Sequence, residues 1–402
     1  MLDAAILSQV ALGYSPFIDR ERAVSATRLT IVPLRPDAQL DAAQLLATIG
    51  EIWPEAGGRV SLNIVSESLL QGVLGSEPAT NLMIELPAFM AGDAAHHDAI
   101  LALHARGTKL LIKGRPLQPL PRDLLPCFAY SVIDLSEQST DAAAPANTPE
   151  AKARNMPLVQ SGVRKITEME ASFARGAQGV FGWPLDDDLR QPLPGRKPAQ
   201  PMDMQAIIEL IGRADKEESI DRLEATLKRD PALAFKLLRY INSPAFGLSV
   251  EIASFRHAIM MLGYKRLKRW LALLLATASK DANLKPVMFA AVRRGLLMEE
   301  LVRGSGDEEM RNEVFICGVF SLLDRMFQQP FAQLLDTIPV PEKVRQALVD
   351  ESGPYQPLLG IVRAIESESL FDLREAAETA MLSVAEINRA LLRGLLAASS
   401  LE

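Results

Sequence analysis

Histidine is scarce relative to what a metallohydrolase needs. There are four in 402 residues, His96, His97, His104 and His257, and only the last lies in the C-terminal half. A hydrolase built on several metal-bound imidazoles cannot be assembled there from one histidine. Cysteine is also rare. Cys127 and Cys317 are too few for a disulfide framework, and both lie in apolar sequence, which predicts core residues and a reducing compartment. Long apolar runs are missing as well. The windows Leu271–Ala278 and Val314–Leu323 fall well short of the ~20 residues a membrane helix needs. The start, Met1–Ser8, has no basic leader before an apolar core, so a cytoplasmic protein is expected. A basic excess is absent too. Residues 1–196 hold 17 Lys/Arg against 22 Asp/Glu, and the remainder 26 against 28. General nucleic-acid binding is therefore not expected.

What is present is an ordinary globular balance, 48% hydrophobic and 23% charged, which excludes wholesale disorder. At ~100–200 residues per domain the length predicts two or three domains, or one large one. The N-terminal half alternates short β-like runs with helical runs. Strands are expected at Ala11–Phe17, Leu29–Leu34, Val60–Val65, Leu82–Leu86, Leu110–Ile112, Ser131–Leu135, Pro157–Val159 and Gly179–Phe181. Helices are expected at Asp41–Ile52, Glu67–Leu74, Ala95–Ala105 and Thr167–Arg175. Repeated strand–helix–strand units predict a parallel sheet with helices outside. About eight strands in ~190 residues is short for a closed barrel of ~250, so a trimmed barrel is implied. The stretch Glu137–Pro149, poor in large apolar side chains, reads as a loop.

Residues Asp186–Pro201 combine four prolines with three consecutive aspartates, a composition that cannot form a core and reads as a linker. Beyond it the pattern is almost wholly helical. Asp230-Pro231 makes a good helix start. Leu233, Leu237, Leu238 and Ile241 share a face, and Asn242-Ser-Pro244 ends the helix. Ser254 is placed to cap the next helix, which Gly263 closes, and Leu267, Trp270, Leu271 and Leu274 line the one after.

The run Asp-Pro-Ala-Leu-Ala-Phe-Lys-Leu-Leu-Arg-Tyr-Ile-Asn-Ser-Pro-Ala-Phe-Gly at 230–247 resembles the signature of HDOD domains. So do Ile252–Ile259, Leu262-Gly263, Ile338–Leu348 and Gly353-Pro354. These domains are helical relatives of HD phosphohydrolases that lack the metal site, usually found in bacterial signalling proteins. They often follow an EAL domain, the cyclic-di-GMP phosphodiesterase barrel. Residues 10–190 are similar to that barrel at Leu62-Asn-Ile-Val65, Met83-Ile-Glu85, Val132-Ile-Asp-Leu135, Gly162-Val163 and Gly176–Gly179. The resemblance implies a multidomain α/β plus all-α fold. A degenerate, trimmed TIM-barrel-like EAL domain at 1–188 would be joined by a linker at 189–201 to an α-helical HDOD domain at 202–402.

The EAL resemblance implies phosphodiester hydrolysis with divalent metal, which needs several carboxylates converging at the C-terminal strand ends. Asn63, Glu85 and Asp134 match family ligand positions. The other positions fail. The naming motif would fall near Leu29–Leu34, which has no acid. The paired aspartates would fall at Lys113-Gly114, and residues 107–121 contain no Asp or Glu at all. The catalytic lysine falls at Val132, the late glutamate at Ser161 and the glutamine near the last strand at Phe181. In the HD-like helix the metal-binding His-Asp pair becomes Ser321-Leu322, and Phe289–Val302 before it has no histidine.

No catalytic residue, metal or cofactor is therefore expected, and Asn63, Glu85 and Asp134 are vestigial. His257 reads as a structural histidine, and His96-His97 as part of a solvated face. Lys265, Arg266, Lys268 and Arg269 form a basic run opposite an apolar stripe, either a solvated face or a candidate docking patch for an acidic partner or a nucleotide's phosphates. The expected function is non-catalytic regulation in a bacterial signalling pathway through a protein partner. The alternatives are a cyclic-di-GMP sensor, using Lys113, Arg115 or Arg164 for phosphate contacts, and a residual phosphodiesterase. Aromatics at 5% of the chain weigh against guanine stacking.

Overall fold

The computed structural model describes residues 5–53, 58–138, 156–187, 202–228, 237, 241–242, 252, 254–276, 281–336, 338 and 340–399. The chain divides into two compact units, Met1–Asp187 with Gly360–Leu396, and Asp188–Leu359 with Ala397–Glu402. The sequence predicts a helical domain running on to residue 402. The segment 360–396 instead belongs with the barrel, for a reason given below. The expected linker at 189–201 and most of the 230–247 signature lie outside the described residues.

The first unit is a closed eight-stranded barrel in sequence order. Its strands are β1 (Val10–Asp19), β2 (Val24–Pro33), β3 (Arg59–Ile64), β4 (Leu82–Pro87), β5 (Lys109–Lys113), β6 (Phe128–Asp134), β7 (Leu158–Val163) and β8 (Gly179–Gly182). The sheet is not wholly parallel, as the strand–helix alternation suggests. β1 runs antiparallel to both β2 and β8. Four residues join β1 to β2, far too few for a parallel crossover, so a hairpin is forced. Asp19 builds the turn by accepting from the amides of Glu21 and Ala23 at 3.0 and 2.9 Å. Replacing one strand–helix–strand unit by this hairpin lets a short chain close the barrel.

Outside the barrel, Ala42–Ile52 starts at Asp41, whose carboxylate accepts from the amides of Ala43 and Gln44. It buries Leu45, Ile49 and Ile52 on one face. Each such side chain contributes about 1.5–3 kcal/mol when removed from water. Inside, Phe17, Ala26, Met83, Leu111, Val132, Val159 and Phe181 form an apolar layer. Arg28 lies two residues on from Ala26, and Thr30 two further, so β2 carries its inward face from oil to charge within five residues.

The segment 360–396 completes this unit. The helix Val384–Ser399 carries Asn388, fully buried. Its amide accepts from Leu12 N at 3.1 Å and donates to Leu7 O at 2.9 Å and Val10 O at 2.7 Å. Arg374 donates to Leu34 O at 2.6 Å. These bonds satisfy backbone groups at the start of β1 and the end of β2 that the strand ladder leaves over.

In the second unit, Lys285–Leu301 and Glu308–Phe320 pack at glycine distance. A Cβ on Gly318 would lie 2.6 Å from Arg294 O, so no larger residue fits. The run Phe255–Ala276 is broken by Gly263 at φ 68, the left-handed geometry that ends a helix most cheaply at glycine. Ser254 Oγ accepts from His257 N at 3.2 Å. The His257 side chain is exposed rather than built into a core. Asn242 pairs with Ile252 through both side-chain atoms, each at 2.8 Å, which explains an asparagine at the end of the signature. Cys127 and Cys317 are buried free thiols. Among the described residues no helix is long and apolar enough to cross a membrane.

Candidate functional site

Above the apolar layer, the barrel mouth is polar and its groups are already matched. Arg28 on β2 faces Glu85 on β4 with two parallel hydrogen bonds, Nε to Oε1 and Nη2 to Oε2, each 2.7 Å. Ser61, beside Arg28 in the β2–β3 register, donates to the same Oε1 at 3.0 Å. Glu85 is 1% exposed and Arg28 7%. One layer higher, Lys113 Nζ donates to Asn63 Oδ1 at 2.9 Å, and Asn63 Nδ2 to Thr30 Oγ1 at 3.1 Å. Asp134 accepts from Ser136 N at 3.0 Å, Ser136 Oγ at 2.6 Å and Ser161 Oγ at 3.1 Å. Phe181 lies under Arg28, its ring centroid 5.1 Å from the guanidinium carbon.

A carboxylate from far along the chain joins this network. Glu368, just after the helix Gln356–Ser367, accepts from Ser15 Oγ at 3.0 Å and from Thr30 Oγ1 at 2.8 Å. Its Oε2 lies 3.8 Å from Arg28 Nη1. The mouth thus holds two cations and three carboxylates, with Arg28 shared between Glu85 and Glu368.

The titration behaviour follows from this arrangement. Burial pushes the Glu85 carboxyl up, but the charge and hydrogen bonds of Arg28 outweigh it, and the group sits below the usual carboxylate range. Burial likewise disfavours the charged Arg28, and Glu85 overcomes it, so Arg28 stays charged throughout. Lys113 is lowered, first by burial and then by repulsion from Arg28, against opposing pulls from Glu85, Glu368 and Asp134.

This donor set does not fit a divalent cation. Of the three matched positions, Asn63 faces an ammonium, Glu85 is held bidentate by a guanidinium, and Asp134 is directed by serine donors. A metal at Glu85 would have to displace Arg28 and leave it buried with only the longer contact to Glu368, which is costly. Phe181 and Val132 belong to the apolar layer, and Ser161 orients Asp134. Among the described residues no three His, Cys, Asp or Glu side chains converge as metal ligands.

Residues 198–332 match the family model of the HDOD domain. That stretch is an HDOD domain, and the chain joins it to an eight-stranded barrel. The chain is 25% identical over 322 residues to the cyclic di-GMP phosphodiesterase CdgJ of Vibrio cholerae, covering 77% of this chain and 72% of that one. It is 30% identical over 168 residues to the uncharacterized protein YuxH of Bacillus subtilis, 40% of each chain. The chain thus spans less than half the length of YuxH. Among solved structures, the cGMP-bound EAL enzyme Bd1971 is similar at 13% identity, over 44% of this chain and 60% of that one, with a TM-score of 0.33.

In the helical unit, Ser321, where the sequence comparison placed the HD family's His-Asp pair, accepts from Arg294 Nη1 at 3.0 Å and donates to Gly318 O at 2.7 Å. Arg294 is 6% exposed, so a fixed guanidinium lies there too. The basic run divides in two. Lys268 pairs with Asp215 at 3.0 Å, and Arg269 grips Glu299 at 2.9 and 2.5 Å while stacking 3.7 Å from the Phe315 centroid. Lys265 and Arg266 are exposed. Of the other singled-out groups, His97 pairs with Asp123 at 2.8 Å, and Arg164 with Asp186 at 2.6 Å.

Sequence reasoning placed Asn63, Glu85, Asp134 and Lys113 together but missed Arg28, Ser15, Thr30, Ser61 and Glu368. Arg28 carried a signal, the lone charged residue in a strand of apolar and hydroxyl side chains. Glu368 carried none, being 283 residues beyond Glu85.

Proposed function

We propose that this chain is a non-catalytic bacterial EAL–HDOD signalling protein that acts in the cytoplasm through protein–protein contacts. One observation carries the reading. Every matched EAL ligand position is engaged by the chain's own side chains, Asn63 by Lys113 and Glu85 by Arg28, with Asp134 held by Ser136 and Ser161. A buried guanidinium needs no metal to neutralise Glu85, and it brings no ionisable water. The mouth therefore lacks a means of generating hydroxide near neutral pH. The similarity to CdgJ supports a place in cyclic-di-GMP signalling, and the HDOD match supports a regulatory role. The exposed pair Lys265 and Arg266 is the proposed docking point for an acidic protein surface. Lys268 and Arg269, already paired, stiffen the helix beneath it.

Calorimetric titration of the full chain with cyclic di-GMP, in the presence of Mg²⁺ or Mn²⁺, followed by chromatography of the products, tests this reading. No heat and no product is the expected result. Heat without product would make the protein a nucleotide sensor. Linear dinucleotide would overturn the proposal.

A further inference from the structure

The Glu368 carboxylate is seated as a ligand is seated. Each oxygen accepts one hydroxyl, Ser15 on Oε1 and Thr30 on Oε2, and the Arg28 guanidinium lies beside Oε2. The seat belongs to the barrel strands, while its occupant arrives from a segment that the chain reaches only after the whole HDOD sequence. β1 is shaped for that approach. A Cβ on Gly13 would lie 3.0 Å from Glu368 Cγ and 3.2 Å from Ile365 O. A small crevice adjoins the carboxylate, lined in part by Gly13, Thr30, Val32, Ala364 and Leu373.

We propose that the barrel mouth is a carboxylate-binding site whose built-in ligand is Glu368, and that the segment 360–396 thereby plugs the mouth. The ligand class is a small aliphatic carboxylate, which presents the same planar pair of oxygens. The inference goes beyond the signalling reading and stands independently of it, since a plugged mouth is compatible with any downstream role. Two attachments divide the labour. Asn388 anchors the segment to the start of β1 through three buried hydrogen bonds, and Glu368 closes the mouth. Removing the Glu368 carboxylate therefore empties the seat without detaching the segment. It leaves two hydroxyls without their acceptor and Arg28 without its second anionic neighbour, a deficit that an external carboxylate can fill.

The test is chemical rescue in the full chain. Glu368→Ala is expected to melt several degrees below the wild type. Sodium acetate is expected to recover part of that loss, while sodium chloride at equal ionic strength does not. The wild type, its seat filled, should show no acetate-specific shift. Glu368→Gln should be equally indifferent, because its amide occupies the seat. Equal effects of acetate and chloride on Glu368→Ala, or an equal acetate shift in the wild type, would overturn the proposal. Should Glu368→Ala fail to fold, Ser15→Ala with Glu368 intact supplies the second arm. Amide exchange across residues 366–373 should then quicken by about tenfold, the loss of one hydrogen bond to a charged group. The Leu12 amide held by Asn388 should be unaffected. Unchanged exchange at 366–373 would refute the plug.

Discussion

Arg28→Ala tests the physical core of the account. The substitution leaves Glu85, 1% exposed, without its guanidinium partner. Removing one member of a buried, hydrogen-bonded ion pair typically costs about 3–5 kcal/mol, most of it the penalty of an uncompensated buried charge. The pH dependence carries more information than the magnitude. In the wild type the Glu85 carboxyl is held below its ordinary value. Its contribution is thus fully present above the unfolded carboxylate pKa and is lost as pH falls through the folded one. Without Arg28, burial, the largest influence on Glu85, is opposed only by the Lys113 charge and the Ser61 hydrogen bond, and it raises the group. The sign then reverses, and the variant recovers stability on acidification as Glu85 takes up a proton. Urea unfolding followed by tryptophan fluorescence in a Trp270→Phe background leaves Trp53 and Trp183, both in the barrel unit, as reporters. The double variant Arg28→Met with Glu85→Leu should regain most of the loss, since an apolar pair removes both desolvation penalties. An Arg28→Ala variant that loses less than 1 kcal/mol, or that weakens further on acidification, would refute the reasoning.

Two further outcomes follow from the same geometry. Lys113 is lowered by burial and by Arg28, so between its folded and unfolded pKa values the unfolded chain binds more protons, and stability rises with pH there. Lys113→Met should abolish that alkaline component, seen as a difference between the two proteins' urea midpoints across pH 8–10. Asn388→Ala strips acceptor and donors from three backbone groups around β1. A loss of about 2–4 kcal/mol is expected from the unsatisfied groups, with faster hydrogen exchange at the Leu12 amide; protection as in the wild type would show that the segment 360–396 does not complete the barrel.

The strands of the barrel were legible because each is a short apolar run whose alternation or flanking turn residues mark it. The hairpin at Asp19–Ala23 was not legible as a reversal of sheet direction. That reversal follows from connection length combined with barrel closure, which no single strand reveals. Asn63, Glu85 and Asp134 could be singled out because they lie within recognisable strands. Their partners were harder, because partnership is set by register. Arg28 meets Glu85 only when β2, β3 and β4 are aligned, and Glu368 only when the last segment of the chain returns to the first strand. The return of 360–396 to the barrel unit was hidden for the same reason. The helix carrying Asn388 has the amphipathic pattern of any bundle helix, and nothing local to it states that its polar atom satisfies β1. In the HDOD half, Gly263 and Ser254 were legible from cap chemistry. The division of the basic run into paired and exposed members depended on Asp215 and Glu299, 53 and 30 positions distant in sequence from the side chains they bind.

The central claim is that internal cations occupy the ground a catalytic metal would need. Electron paramagnetic resonance of Mn²⁺ titrated into the full chain at neutral pH reads this directly, because protein-bound manganese loses the sharp signal of the hexa-aquo ion. The account predicts that the signal grows in proportion to added Mn²⁺ from the first aliquot, with or without cyclic di-GMP. A stoichiometric deficit of free Mn²⁺ that Glu85→Gln abolishes would contradict it.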